Sequence, residues 1–217
     1  MKNKIFITVI IVLAVIAMTI WYFAVFSMRP DPVQTIQNSS TNNTNKQEKP
    51  SSDSKYATLK GDAFDEAYIA DMLAHHEGAL NMAEQAQAFT SHGEIRTLST
   101  NITQTQSAEM IQMSTWQKDW GYKETMGGGH NSHGGAGSDM GGDMVEMKNK
   151  LQGLAGEAYD KEFLKQMILH HKQAVEMSRY AETNAHHREL KDLAKKVISA
   201  QAEEIEQMKQ WQKAWGY

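Results

Sequence analysis

The sequence contains no cysteine. Disulfide staples, thiolate metal ligands, a cysteine nucleophile and a lipid-modified cysteine anchor are all excluded. Charge of either sign is not in excess: the net charge is −4 and no basic stripe occurs, so nucleic acid is not an expected partner. No nucleophile constellation and no phosphate-binding loop can be found, so enzymatic activity is not expected. The chain is nevertheless long enough to bury a core without staples. What it does have is methionine, 14 residues, and histidine, 9 residues, and their placement is informative.

Residues Ile5 to Phe26 form a nearly uninterrupted apolar run, long enough to cross a bilayer as a helix. Lys2 and Lys4 precede it, which by the positive-inside rule leaves the C-terminal bulk outside the cytoplasm; Trp21, Tyr22 and Phe23 lie near the outer end, where aromatic rings favour the interface. A cleaved signal peptide is the alternative, but the run exceeds a usual h-region and Ala24-Val25-Phe26 is a poor cleavage site. The expectation is a single-pass membrane anchor over 1–28. Residues 29–60 are polar and read as a flexible tether.

The rest of the chain repeats itself with a shift of 95 residues and no gap. Asp65 to His76 meets Asp160 to His171, and Trp116-Gln-Lys-Asp-Trp120-Gly121-Tyr122 meets Trp211-Gln-Lys-Ala-Trp215-Gly216-Tyr217. Each copy, 61–122 and 157–217, reads as two helices joined by a short turn, hence antiparallel. In the first copy Asp62 is the expected N-cap, Ser91-x-x-Glu94 reads as a capping box, and Gly121 sits where a C′ glycine belongs. The second copy should run from about Glu157 to Asn184 and from about His187 to Trp215. The expected fold is all-α: a four-helix bundle of two duplicated antiparallel hairpins, plus the N-terminal transmembrane helix. Residues 123–156 between the copies are Gly-rich and read as a flexible linker. Its Met126, His130, His133 and Met140 could catch metal loosely or be incidental; no spacing there fixes a geometry.

The first helix of each copy carries one seam at 3, 4, 3, 4 spacing. It reads Asp65, Tyr68, Met72, His75, Ala79, Met82, Ala86, and then Asp160, Phe163, Met167, His170, Ala174, Met177, Ala181. His76 and His171 lie about 100° round, on a neighbouring apolar stripe. The second-helix seams read Leu98, Ile102, Gln106, Glu109, Met113, Trp116, Trp120, and Leu193, Val197, Gln201, Glu204, Met208, Trp211, Trp215. A carboxylate inside such a stripe needs a cation or donor beside it. If residues whose numbers sum to about 181 face each other across the turn, Glu109 sits level with Met72 and Gln106 level with His75. Each hairpin should then bring Met, His and Glu together at mid-height. Imidazole with thioether suits copper, the thioether Cu(I) in particular; zinc gains little from Met. A di-iron centre would want Glu three residues before His75, where Met72 stands. The plainer alternative is core methionine and a core histidine satisfied by Glu109. The tryptophans read as end-of-bundle packing, His92 and His187 as surface or helix-start residues, and His186 has no counterpart because Ser91 takes its place.

Met72-x-x-His75-His76-x-x-Ala79-x-x-Met82, His92-x-Glu94 and Gln106-x-x-Glu109-x-x-Gln112-Met113-x-x-Trp116 together resemble the domain of unknown function 305 family. The resemblance covers residues 62–122 and 157–217 and implies a ferritin-like four-helix fold in a bacterial secreted or membrane-attached protein, some relatives being extracytoplasmic copper binders linked to copper resistance. By position it places the family's His pair on His75, His76, His170 and His171, and its methionines on Met72, Met82, Met113, Met167, Met177 and Met208. Gly93 and Arg188 stand where the family often has proline after the turn histidine, which concerns the turn and leaves the seam alone.

The expected function is copper binding, Cu(I) or Cu(II), by Met72, His75, His76, Met82, Glu109, Met113 and their copies Met167, His170, His171, Met177, Glu204, Met208. The protein would buffer or sequester the metal at the outer face of a bacterial membrane, at the cell surface or in the periplasm. A copper transporter or a second copy of the chain could be its partner. The alternative is a non-enzymatic structural or protein-interaction bundle with core His and Met.

Overall fold

The computed structural model describes residues 52–124 and 139–217, with side chains from 55 to 124 and from 142 to 217. The apolar run at 5–26, most of the tether, and linker residues Met126, His130 and His133 lie outside the described residues, as does the side chain of Met140. Among the described residues seven helices follow one another: α1 Ser52–Thr58, α2 Asp62–Phe89, α3 Gly93–Asp119, α4 Asp139–Leu151, α5 Gly156–Arg179, α6 Ala181–Asn184 and α7 Arg188–Trp215. The only β feature among the described residues is an isolated bridge between Gly61 and Ala185. None of these helices is long and apolar enough to cross a membrane.

The four long helices are the two expected hairpins. α2 and α3 pair across the turn at Thr90–His92, and α5 with α7 across Ala185–His187. The turns work differently from the sequence expectation. The N-cap of α2 is Gly61, not Asp62; its φ of 60° is left-handed and suits glycine, and its N–H donates to the Asn184 carbonyl at 2.8 Å. No Ser91–Glu94 capping box forms. The N-cap of α3 is His92, which makes no side-chain cap, and the Ser91 hydroxyl donates to Asp160 at the head of the other hairpin. At the far end Gly121 does close α3 as a C′ residue: its N–H reaches the Lys118 carbonyl and the Tyr122 N–H reaches the Gln117 carbonyl, a Schellman pair.

The hairpins pack α2 against α5, antiparallel, so that each hairpin's head meets the other's turn. Asp65 accepts from the His186 and His187 N–H groups at 3.0 and 2.9 Å. Asp160 accepts from the Thr90 and Ser91 hydroxyls and from the Ser91 N–H. Asp65 thus meets the N-cap N–H of α7, whereas Asp160 holds the residues just before α3, whose N-cap His92 N–H goes to the Thr90 hydroxyl oxygen at 3.2 Å. The one position of the first-helix seam that differs between copies follows from packing: the Tyr68 hydroxyl bonds Ser178 at 2.8 Å, while the residue equivalent to Ser178 is Ala83 and the one equivalent to Tyr68 is Phe163.

Two shorter helices break the symmetry, and both occupy ground read as unstructured. α1 ends the tether: Tyr56 is buried, its hydroxyl donates to Asp71, and its ring sits edge-on to Phe64 at 6.0 Å. α4 ends the linker and lies across α2 and α5, burying Met144, Met147 and Leu151. Gly78 makes room for it, since a Cβ there would meet Met144 Sδ at 2.5 Å. At the equivalent position of α5, Gln173 donates to Asp143 of α4 at 3.2 Å.

Candidate metal centre

The apolar core is two clusters, one toward each end of the bundle. The layer between them is polar. It holds His75, His76, His170, His171, Gln106 and Gln201, all buried, with Glu109 and Glu204 at its edge.

His75 and His170 point at each other's helices. His75 Nε2 lies 2.9 Å from the His170 carbonyl, and His170 Nε2 lies 2.9 Å from the His75 carbonyl. The rings meet at a tilt of 34° with centroids 3.6 Å apart, and the fully buried Ala79 and Ala174 one turn on let the helices approach this closely. A carbonyl only accepts, so each Nε2 carries the hydrogen and each Nδ1 keeps its lone pair. Burial, reinforced by the neighbouring imidazoles, holds both histidines well below the usual imidazole range, so they are neutral at neutral pH.

His76 and His171 point instead at the second helix of their own hairpin. His76 Nε2 lies 2.7 Å from Glu109 Oε2, and His171 Nε2 lies 2.6 Å from Glu204 Oε2. The register is therefore one turn off the expected one: Glu109 is level with His76, not with Met72. The adjacent histidines divide the work, one facing the other hairpin and one facing its own.

All four Nδ1 atoms are buried without a hydrogen-bond partner. An N–H left there would be a buried donor with no acceptor, so Nδ1 presents a lone pair. Imidazole with Nε2–H on a carboxylate or carbonyl and Nδ1 free is how a metal-ligating histidine is oriented by its surroundings. Met72 precedes His76 by one helical turn, and Met113 follows Glu109 by one turn. Both are fully buried, and both lie in one apolar cluster. Met167 and Met208 repeat this around His171 in the other cluster. Met177 and Met82 stand further out: counting from the His75–His170 contact, Met177 falls level with Tyr68, a turn beyond Met72. Nitrogen and oxygen donors alone do not complete this centre. Among the described residues, the one group of three His, Asp or Glu ligand atoms within 4.8 Å of one another is Asp62, His186 and His187, at a bundle end. A metal in the polar layer needs the thioethers.

The turn histidines His92 and His187, with Trp116, Trp120, Trp211 and Trp215, close the ends. His187 stacks on Trp120 at 3.7 Å and His92 on Trp215 at 3.6 Å, each half-buried at the N-cap. The repeated Asp at the head of each seam was the sequence signal for these corners, but its partners, a turn in the other hairpin, were not legible.

The sequence model of the domain of unknown function family DUF305 matches residues 18–96 and 65–212. The chain is a DUF305 protein. No curated protein matches it. Among solved structures, this DUF305 chain is similar to CopM in its Cu(I)-bound form, with 31% identity, 70% of this chain and 96% of that chain covered, and a TM-score of 0.57. It is similar to CopM in an Ag-bound form at 32% identity, 70% and 96% coverage and a TM-score of 0.56. A DUF305 protein from Streptomyces coelicolor shares the fold at 23% identity, with 70% of this chain and 94% of that chain covered and a TM-score of 0.58.

Proposed function

We propose that this DUF305 protein binds copper in the polar layer of its bundle and buffers or sequesters it outside the cytoplasm. The observation that carries the reading is the set of four buried, unpartnered imidazole Nδ1 atoms among buried methionine thioethers. His76 with Met72 and Met113, and His171 with Met167 and Met208, supply soft sulfur and imidazole donors that fit Cu(I) better than Zn2+. Glu109 and Glu204 orient the ring nitrogens rather than serving as primary ligands. The similarity to CopM, which has been solved with Cu(I), Cu(II) and Ag bound, supports the same metal here. The reading includes no catalytic step. The run from Ile5 to Phe26 behind Lys2 and Lys4 supports a single-pass anchor with the bundle outside, which alkaline extraction of membranes checks.

One observation favours the structural alternative: the Nε2–H groups of His75 and His170 are each satisfied by the other's backbone carbonyl, as a core histidine's would be. Titration of the full chain with Cu(I) against a competing chelator, with Zn2+ in parallel, separates the two readings. Copper binding that falls at least tenfold in His76→Ala with His171→Ala establishes the metal centre. Unchanged affinity in that variant leaves the bundle a structural module.

A further inference from the structure

We propose that Asp62, His186 and His187 form a second metal site, for a divalent cation of the Zn2+ or Cu2+ kind, at the corner where the second hairpin turns. This goes beyond the core reading and does not depend on it.

The argument starts from the pseudo-twofold symmetry. At one corner Asp65 holds the His186–His187 turn, with Trp120 stacked beneath His187 and Tyr122 beside it. At the opposite corner Asp160, His92, Trp215 and Tyr217 do the same work. The fold closes there with Glu157 and Ser91 in the places of Asp62 and His186. Asp62 and His186 are therefore not required to build the corner; they are additions to a complete one.

What they add is a ligand set. Asp62, His186 and His187 each offer a ligand atom within 4.8 Å of the other two. His186 Nδ1 is 2.5 Å from Asp62 Oδ1. The Tyr122 hydroxyl donates to the same oxygen at 2.8 Å and lies 3.3 Å from His187 Nδ1, which ties the carboxylate to the second imidazole. The His187 ring is fixed by its stack on Trp120, with an interplanar angle of 3°, and by the Nδ1–H it donates to Asp65 Oδ2 at 2.8 Å; like the His186 Nδ1–H on Asp62, this proton is released to solvent when a cation takes the nitrogen. Asp62 and His186 are mostly exposed, so a cation reaches them from solvent and the pair can open to admit it. Two imidazoles and a carboxylate, with no thioether, select a borderline dication over Cu(I) and leave positions for water. The two sites would thus differ in the hardness of the metal they take.

The test uses the full chain with His130→Ala and His133→Ala, so that the linker imidazoles do not contribute, and Co2+ as the spectroscopic probe with Zn2+ as competitor. It is compared with the same protein carrying Asp62→Glu and His186→Ser, which installs the residues of the opposite corner and so preserves the fold; circular dichroism checks that it does, and His186→Ala alone is the second variant. The expected result is one Co2+ fewer per chain, or at least tenfold weaker binding, in both variants. In the parent, Co2+ should perturb the Trp120 indole resonance before that of Trp215. Equal Co2+ stoichiometry and affinity in all three proteins, or perturbation of the two indoles together, would overturn the site. Cu(I) affinity is expected to be the same in all three, so failure here and failure of the core centre are read separately.

Discussion

Glu109 fixes which nitrogen of His76 is free. Its carboxylate can only accept, so Nε2 must be the protonated atom and Nδ1 the one with a free lone pair. Glu109→Gln keeps the volume but offers the ring an amide that can present either its oxygen or its NH2. Copper affinity of that hairpin is expected to fall about 10–100-fold with the fold intact, checked by chelator competition and circular dichroism. Part of this was legible: the repeated Met-x-x-His-His and the carboxylate within a seam singled out His76 and Glu109, which the fold brings together. The pairing was not, because the axial level of two helices depends on the path of the turn, and a one-turn difference moves Glu109 from Met72 to His76. The other histidines carry a pH dependence. His75 and His170 are held well below the imidazole range by burial, so between their folded values and about pH 6.5 the unfolded chain binds more protons than the native one. Their contribution is complete above about pH 6.5 and declines as pH falls, at about 1.4 kcal/mol per pH unit for each histidine. Denaturant melts of the metal-free protein between about pH 7 and about pH 5 should show this slope. His75→Gln with His170→Gln should flatten it.

The N-cap residues of α3 and α7, His92 and His187, make no side-chain cap bond. The turn that leads into each helix is held by an aspartate at the head of the opposite hairpin. Asp160→Ala removes the acceptor of two hydroxyls and one backbone N–H at a buried position, and should lower stability by about 2–3 kcal/mol in urea melts. A Ser91→Ala change would be as damaging only if Ser91 were the cap that its spacing from Glu94 suggests; it is expected to cost less than Asp160→Ala because the backbone N–H keeps its acceptor. The capping motif was misleading for a physical reason: a serine hydroxyl takes the strongest acceptor within reach, and a buried carboxylate from another element is invisible in local sequence. The same holds for α4. Asp139–Leu151 contains adjacent glycines that argue against a helix, and its stability comes from burial of Met147 and Leu151 and from Met144 packing over Gly78, a contact between segments more than sixty residues apart.

At the scale of the molecule, the two hairpins are mutually incomplete. Each has its turn held by an aspartate of the other, each leaves an imidazole facing the other's carbonyl, and both apolar clusters draw residues from both hairpins. Duplication was plain in the sequence, but the dependence it created was not, since a repeat by itself is consistent with two independent units. A single hairpin, residues 56–124, should therefore not persist as a folded monomer. It should pair with a second copy in the same antiparallel way, Asp65 of each receiving the Thr90 and Ser91 donors of the other, and His75 facing His75. One contact is lost in that pairing. Tyr68 faces Ser178 in the intact chain, and the first hairpin has Ala83 at the equivalent position, so both hydroxyls of the homodimer would be buried without a partner. Each unmet hydroxyl costs about 1–3 kcal/mol. Tyr68→Phe, which reproduces Phe163 opposite Ala83, should accordingly tighten the homodimer although it loosens the full-length bundle. Sedimentation equilibrium on the two hairpin variants, set beside urea melts of the two full-length proteins, reads both effects. A hairpin that sediments as a folded monomer, or a Tyr68→Phe change of the same sign in both settings, would contradict mutual completion.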